Sequence, residues 1–232
     1  MQQPTSDVAT LLAGIPLFAD LAPEELQSLG RRARRQVFQT DETIFYQDDP
    51  GQSLYCVTSG IVRIVLSSKE GREAVLVLLR PGEFFGELSL FDGQPRSASA
   101  IAMGPTEVAI LRRDDFLSFL QEHPQAALTV LAVLSRRLRR TDDLIGDAVF
   151  LDLPVRIAKK LLELAETFGE QVEQGVEIAI RLRHQDLANM VGGNRESVSR
   201  YLASLEGQGL IRVEKQRITL LRPQALQRQS QY

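Results

Sequence analysis

The sequence predicts an α+β fold in three parts: a β-roll of the jelly-roll type, one long helix, and a small helical domain ending in a hairpin. Three observations predict it. Between residues 36 and 113, short β-prone runs recur with Gly, Pro and Asp turn residues between them. Over residues 125–150 the apolar residues change to steps of three and four. Beyond Pro154, two short amphipathic helices flank a double glycine and are followed by a hairpin pattern. The first pattern is that of an all-β roll and the second that of a helix with one apolar seam.

Taken in order, residues 8–35 read as short helices. Leu11, Leu12, Ile15, Leu17 and Phe18 lead in, and Pro23 opens an amphipathic stretch that runs to Arg35, a proline suiting the first turn of a helix. The strand runs are Gln36–Phe38, Thr43–Tyr46, Leu54–Thr58, Ile61–Leu66, Ala74–Leu79 and Val108–Leu111. Residues 1–124 therefore form the β-roll domain with its flanking helices. Residues 125–150 are the long helix, with Leu131, Leu134, Leu138, Thr141, Ile145 and Ala148 as its seam. Such a seam either packs on the helix's own domain or meets a second copy of the chain. Leu153-Pro154 breaks the helical pattern, so residues 151–154 are expected to be a hinge. Residues 155–222 form the C-terminal domain: a helix over 155–168, a polar acidic turn region over Gly169–Gly175, two helices within 185–206 and a hairpin over 210–221. Residues 223–232 are expected to be a flexible tail.

Bulk properties narrow the function. The chain has 232 residues, 44% of them hydrophobic, and a net charge of −3, enough for two modest cored domains. Residues 154–232 carry 12 basic and 9 acidic side chains, whereas the front of the chain is acidic, so the C-terminal domain is the part that meets a polyanion. No apolar run is long enough to span a membrane, and the N-terminus has no signal-peptide pattern. Cys56 is the single cysteine. It cannot form an internal disulfide, which points to the cytoplasm, nor can it alone hold an iron–sulfur cluster.

The first constellation runs from Pro81 to Ala98. Gly86 lets backbone amides approach a ligand, and a helical turn starting there aims free N–H groups at an anion. Arg96 offers a permanently charged fork suited to phosphate, and Ser97 adds a hydroxyl donor. Glu87 would repel a phosphate but suits a sugar hydroxyl that donates to it. Together they read a sugar phosphate. The competing reading is a β-turn with an ordinary Glu–Arg surface pair.

The second constellation is a helix-turn-helix. Gln185–Val191 is a short helix, Gly192-Gly193 a turn, and Asn194 the N-cap of the next helix. Stepping about 100° per residue from Arg195, the residues Ser199, Glu196 and Arg200 fall on one polar arc, while Val198, Leu202 and Leu205 fall on the opposite, apolar one. The polar arc suits entry into a DNA major groove, with arginine forking to guanine and glutamate accepting from cytosine. Its competing reading is a solvated, self-paired helix face. The hairpin carries Arg212, Lys215 and Arg217, cations able to meet DNA phosphates.

With these residues in place, the chain resembles the cyclic-AMP receptor protein / fumarate–nitrate regulator (CRP/FNR) family of bacterial transcription regulators. The likeness rests on Gly86-Glu87-Leu88, Arg96-Ser97-Ala98, the stretch Arg136-Arg137-Leu138 with Thr141 and Phe150-Leu151-Asp152, and Arg195-Glu196-Ser197-Val198-Ser199-Arg200. The resemblance implies a cyclic-AMP-binding β-roll in which Gly86, Glu87 and Leu88 flank ribose and phosphate and Arg96 and Ser97 hold the cyclic phosphate. It implies that Thr141 on the dimerisation helix reads the adenine, with Asp142 contributing across a homodimer. It implies that the hairpin is the wing of a winged helix-turn-helix. It further implies double-stranded DNA as partner, read at a palindromic GTGA-type site, with Asn194 and Ser197 near phosphates and RNA polymerase as a further partner. Asp142 departs from the pattern, because cyclic-AMP-binding members carry a small hydroxyl there and an ionised carboxylate only accepts. A same-fold regulator answering another ligand, or none, stays open as the alternative. Arg183 stands where relatives have a Thr cap; losing that cap costs about 1 kcal/mol, unless Arg183 and His184 serve a DNA phosphate instead. Haem-binding members use a β-roll histidine, but His123 and His184 lie outside the roll, and the histidine cluster of a metal-binding roll is missing. Neither constellation supplies catalytic machinery, so no enzyme, metal, haem or iron–sulfur cluster is expected.

Overall fold

The computed structural model describes residues 8–229. The chain divides into two compact units, the first ending at Leu138 and the second starting at Arg139. The boundary thus falls inside the long helix and not at its ends.

In the first unit, α1 (Val8–Ala13), a 3-10 turn (Pro16–Phe18) and α2 (Pro23–Arg32) lead in. Pro23 sits in the first turn of α2, and Glu25 accepts from the free backbone N–H of Ala22 at 2.8 Å, satisfying one orphan donor of the helix start. Arg34 and Arg35 leave the helical stretch and begin a strand, where Arg35 pairs with Glu107 of the neighbouring strand.

Eight strands follow: β1 (Arg34–Phe38), β2 (Thr43–Phe45), β3 (Ser53–Ser59), β4 (Val62–Ser67), β5 (Glu73–Leu79), β6 (Phe84–Phe85), β7 (Ser99–Ala102) and β8 (Thr106–Arg112). The short helix α3 (Leu88–Asp92) separates β6 from β7. They form two antiparallel sheets, β1-β8-β3-β6 and β2-β7-β4-β5, the β-roll that the spacing predicts. Strands β3, β6 and β8 of the first sheet are buried on both faces. Val57, Phe85, Val108 and Ile110 point into the roll, while Leu54, Cys56, Phe84, Ala109 and Leu111 pack against the helices. Two-sided burial explains why these strands read as continuous apolar runs without alternation. The sequence gives no signal for β6, which has two residues, or for β7, whose Ser-Ala-Ile-Ala is fully buried but poor in β-formers.

Two helices close the roll: α4 (Arg113–Glu122), which the pattern does not single out, and α5 (Pro124–Phe150). Val130 of α5 is buried in the helix-side core, with Val133 and Leu134 partly buried against it. Leu134 therefore leaves the predicted seam. The exposed large apolar residues of α5 are Leu128, Leu131, Leu138, Ile145, Val149 and Phe150. Apart from Phe150, they follow alternating steps of three and four once Ser135 and Asp142 are counted in. Asp142 is thus in register with the exposed stripe, beside the exposed Thr141.

In the second unit, α6 (Leu153–Phe168) starts earlier than expected. Pro154 lies in its first turn, where its missing N–H costs no hydrogen bond, so the break after α5 is only Leu151-Asp152. The acidic stretch after α6 is a hairpin and not a turn: β9 (Gly169–Val172) pairs with β10 (Gly175–Ile178). Then come α7 (His184–Val191), α8 (Arg195–Gly207), β11 (Ile211–Glu214), β12 (Arg217–Leu220) and α9 (Pro223–Gln229), the strands forming one sheet in the order β11-β12-β10-β9. Residues 223–229 are therefore a helix and not a flexible tail: Leu226 is fully buried and α9 packs against α6. Residues 230–232 lie outside the described residues. Among the described residues, no helix is long and apolar enough to cross a membrane.

Candidate functional site

The cradle in the first unit gathers around Arg96, which is 3% exposed. Its Nη1 donates to the Gly86 carbonyl at 2.5 Å and its Nη2 to the Ser53 carbonyl at 2.8 Å. The guanidinium lies 4.4 Å from the centre of the Phe45 ring and 5.6 Å from that of Tyr55. Nε is buried and has no hydrogen-bond partner. Burial pushes the Arg96 guanidinium down from its ordinary value, opposed by Tyr55, Glu87 and Asp49 nearby; it stays charged, because arginine does not deprotonate in proteins.

Glycines make the close approach. Gly86 has φ +79°, and an added Cβ would lie 2.7 Å from Arg96 Nη1. At Gly51 an added Cβ would meet Ser89 Cβ at 2.4 Å and Arg96 Cζ at 3.0 Å. Neither position has room for a side chain while Arg96 lies there.

Glu87 is buried and accepts from Arg137 Nη1 of α5 at 2.8 Å. The same guanidinium donates to the Phe84 carbonyl and lies over the Phe84 ring. Glu87 is thus tied to the long helix, not to Arg96 as a surface pair. Leu88 and Ser97 are exposed at the edge of the cradle. Thr141 and Asp142 stand exposed on α5, Thr141 one helical turn beyond Arg137. Sequence reasoning singles out Gly86, Glu87 and Arg96 but misses Ser53, Gly51, Phe45 and Tyr55. The Arg137–Glu87 pair, fifty residues apart, also carries no local signal.

The second unit supplies the helix-turn-helix. Asn194 caps α8, its Oδ1 accepting from the Ser197 N–H at 2.8 Å. Gly192 ends α7 with φ +61°, the left-handed conformation usual at that place. Arg156 of α6 donates to the Val191 carbonyl at 2.6 Å and pins the turn. Val198, Leu202 and Leu205 are buried, whereas Arg195, Glu196 and Arg200 are exposed and Ser197 and Ser199 half-buried. The predicted polar arc is therefore an outward face, on which Arg200 donates to the Ser197 hydroxyl at 3.2 Å.

The start of α7 compensates the missing cap. Arg183 has no acceptor to offer, but Asp186 accepts from the Arg183 backbone N–H and from its guanidinium Nε and Nη2, each at 2.9 Å. In the hairpin, Lys215 and Gln216 take positive φ at the tight turn. Arg217 is paired with Glu177 at 2.5 Å and Arg212 with Gln174 and Glu214, leaving Lys215 exposed at the tip. Arg183, His184, Gln185, Arg195 and Gln216 line an open cavity of about 530 Å3 between α7, α8 and the hairpin.

Residues 35–123 match the cyclic nucleotide-binding domain family, and residues 155–229 match the Crp-like helix-turn-helix domain family. The chain is 34% identical over 220 residues to the CRP-like cAMP-activated global transcriptional regulator of Mycobacterium tuberculosis, covering 95% of this chain and 98% of that one. It is 40% identical over 202 residues to the cyclic AMP receptor protein of Thermus thermophilus, covering 87% and 90%. Similar solved structures include FixK2 from Bradyrhizobium japonicum, with a TM-score of 0.77 at 25% identity over 86% of this chain and 98% of that one. The c-di-GMP-responsive global regulator CLP of Xanthomonas campestris has a TM-score of 0.74 at 28% identity, covering 82% and 94%.

Proposed function

Because the chain belongs to the CRP/FNR family of DNA-binding transcription regulators, which are not enzymes, we propose that it is a homodimeric regulator with cyclic AMP as its effector. The observation that carries the effector reading is Arg96: a buried guanidinium with an unpartnered Nε, against a glycine whose Cβ would collide with it. A buried cation with an unmet donor weakens a fold unless an anion joins it. A cyclic phosphate supplies that anion. Arg96 and Ser97 hold it, Glu87 accepts from the ribose hydroxyl and Gly86 and Leu88 flank the sugar; by the family resemblance Thr141 reads the base, with Asp142 contributing across the homodimer. The relatives named as a cAMP-activated regulator and as a cyclic AMP receptor protein support this choice of ligand.

The exposed stripe of α5 meets its copy in the dimer, and the two α8 helices enter successive major grooves of a palindromic GTGA-type site. Arg195, Glu196, Ser199 and Arg200 read bases, while Asn194, Ser197 and Lys215 lie near phosphates. Nucleotide binding shifts the population towards the DNA-competent dimer.

Asp142 favours a second reading in which the effector is a guanine nucleotide. A carboxylate accepts two hydrogen bonds side by side, which suits the N1–H and N2–H2 edge of guanine, and one solved relative responds to c-di-GMP. Fluorescence anisotropy on a labelled palindromic GTGA-type duplex and a scrambled control, at fixed salt, separates the readings. Palindrome-specific binding that appears only with cyclic AMP supports the first. Binding that appears only with cyclic GMP or c-di-GMP supports the second. Equal binding to both duplexes under every condition refutes the DNA-site assignment.

A further inference from the structure

A side-chain hydrogen bond joins the two helices of the helix-turn-helix. His184, the first residue of α7, has its Nδ1 3.1 Å from the hydroxyl of Ser199, fifteen residues away on α8. Ser199 is on the outward arc, between the directions of Arg195 and Arg200. A serine inside a helix commonly turns its proton back to the carbonyl four residues before it, as Ser135 does to Leu131 at 2.8 Å. Ser199 makes no such bond; its side chain bonds His184 instead. In the imidazole tautomer protonated at Nε2, the bare Nδ1 is the acceptor of the Ser199 hydroxyl proton.

We propose that His184 is a positioning residue that fixes the hydrogen-bond polarity of Ser199 and thereby the bases that Ser199 accepts. With its proton held by Nδ1, the Ser199 oxygen turns only lone pairs outward. It then accepts from base amino groups, adenine N6 or cytosine N4, and has no proton for guanine O6 or thymine O4. Without His184 the hydroxyl rotates freely, serves as donor or acceptor, and the discrimination at that position is lost. His184 also lines the open cavity with Arg183 and Arg195, so the rival role for its ring is a sequence-blind contact to a DNA phosphate.

The inference rests on α8 reading bases, and the test separates the two. The full-length protein, with cyclic AMP, is titrated at fixed pH and salt against a set of duplexes carrying each base pair at every half-site position. Wild type, His184→Ala, His184→Asn, Ser199→Ala and the His184/Ser199 double alanine variant are compared. His184→Asn keeps an acceptor near the place of Nδ1. The expected result is that wild type prefers an amino-bearing base at one half-site position by about tenfold, a usual step for one base contact. His184→Ala and Ser199→Ala each flatten that position alone, the double variant flattens it no further, and His184→Asn retains the preference. A His184→Ala variant that binds every duplex more weakly by the same factor, or whose effect adds to that of Ser199→Ala, overturns the proposal and leaves the recognition helix standing. A wild type that ranks all duplexes equally overturns both.

Discussion

Replacing Arg96 with Met tests whether a buried cation is kept for a ligand or for the fold. The guanidinium makes two charge-assisted hydrogen bonds, to the Gly86 and Ser53 carbonyls, and lies over the Phe45 ring. The two bonds contribute about 3–6 kcal/mol together, and the ring contact contributes about 1–2 kcal/mol. Against them stand the desolvation of a charge that is 3% exposed, which costs several kcal/mol, and the unmet Nε, which costs about 1–3 kcal/mol. The terms nearly cancel. R96M is expected to destabilise the ligand-free protein by no more than about 4 kcal/mol, because the relieved desolvation offsets the donors lost to the Gly86 and Ser53 carbonyls. Its effect on nucleotide binding is much larger. Without the cation the phosphate is buried unpaired, which costs about 3–5 kcal/mol, two orders of magnitude or more in affinity. Urea denaturation reads the first quantity and isothermal titration with cyclic AMP the second. At a nucleotide concentration a hundred times its Kd, the wild type gains about 2.7 kcal/mol against unfolding, and R96M gains none. Wild-type affinity in R96M, or a loss of more than about 4 kcal/mol in the ligand-free protein, refutes the assignment of Arg96 to the phosphate.

Three further outcomes follow from other parts of the structure. Leu138 is 63% exposed on the α5 stripe, so L138D leaves the secondary structure unchanged by circular dichroism. It removes two buried leucines per dimer, each contributing about 1.5–3 kcal/mol, and raises the dimer dissociation constant by at least about a hundredfold; sedimentation of L138D as a dimer at wild-type concentrations excludes the stripe as the interface. Leu226 is fully buried on α9, so L226A destabilises the C-terminal unit by about 2–4 kcal/mol, and a stop after Arg222 does at least as much. Unchanged unfolding in both denies α9 a place in the core. Burial pushes the Cys56 thiol well above its ordinary range, so the folded chain keeps the thiol proton where the unfolded chain has lost it. The stability tied to this group is fully present below the ordinary thiol value of about 8.5 and falls above it by up to about 1.4 kcal/mol per pH unit. Urea titrations between pH 8 and 10 should show that slope in wild type and its loss in C56A, and iodoacetamide should label Cys56 only in the unfolded chain.

What the sequence exposes and what it hides follows from how local each signal is. The β-roll is legible because β3, β4, β5 and β8 are long enough to show their composition. The second sheet's β7 is hidden because its alanines and serine gain their place from burial between partners, not from propensity. The helix-turn-helix is legible almost residue by residue, because a cap, a glycine turn and a polar arc are all short-range devices. The seam of α5 is half legible. Its period is right, but period alone cannot tell Leu134, which meets the roll's core, from Leu131 and Leu138, which face outward. Moving the seam by that one step brings Asp142 into it, beside the exposed Thr141.

That shift changes what Asp142 means. In the sequence it is a departure from the family pattern at a position next to Thr141. In the structure it is also a carboxylate in register with an apolar stripe, where a second copy would bring an identical charge towards it. Like charges brought together in a dry seam oppose association, and a donor edge shared between them relieves that opposition. A base offering N–H groups on that edge would therefore stabilise the dimer through Asp142. On this argument nucleotide choice and dimer strength are one coupled quantity. Asp142→Ser should consequently strengthen the ligand-free dimer while weakening its response to nucleotide. Equilibrium sedimentation with and without effector reads both effects. An unchanged ligand-free dimer would remove Asp142 from the seam.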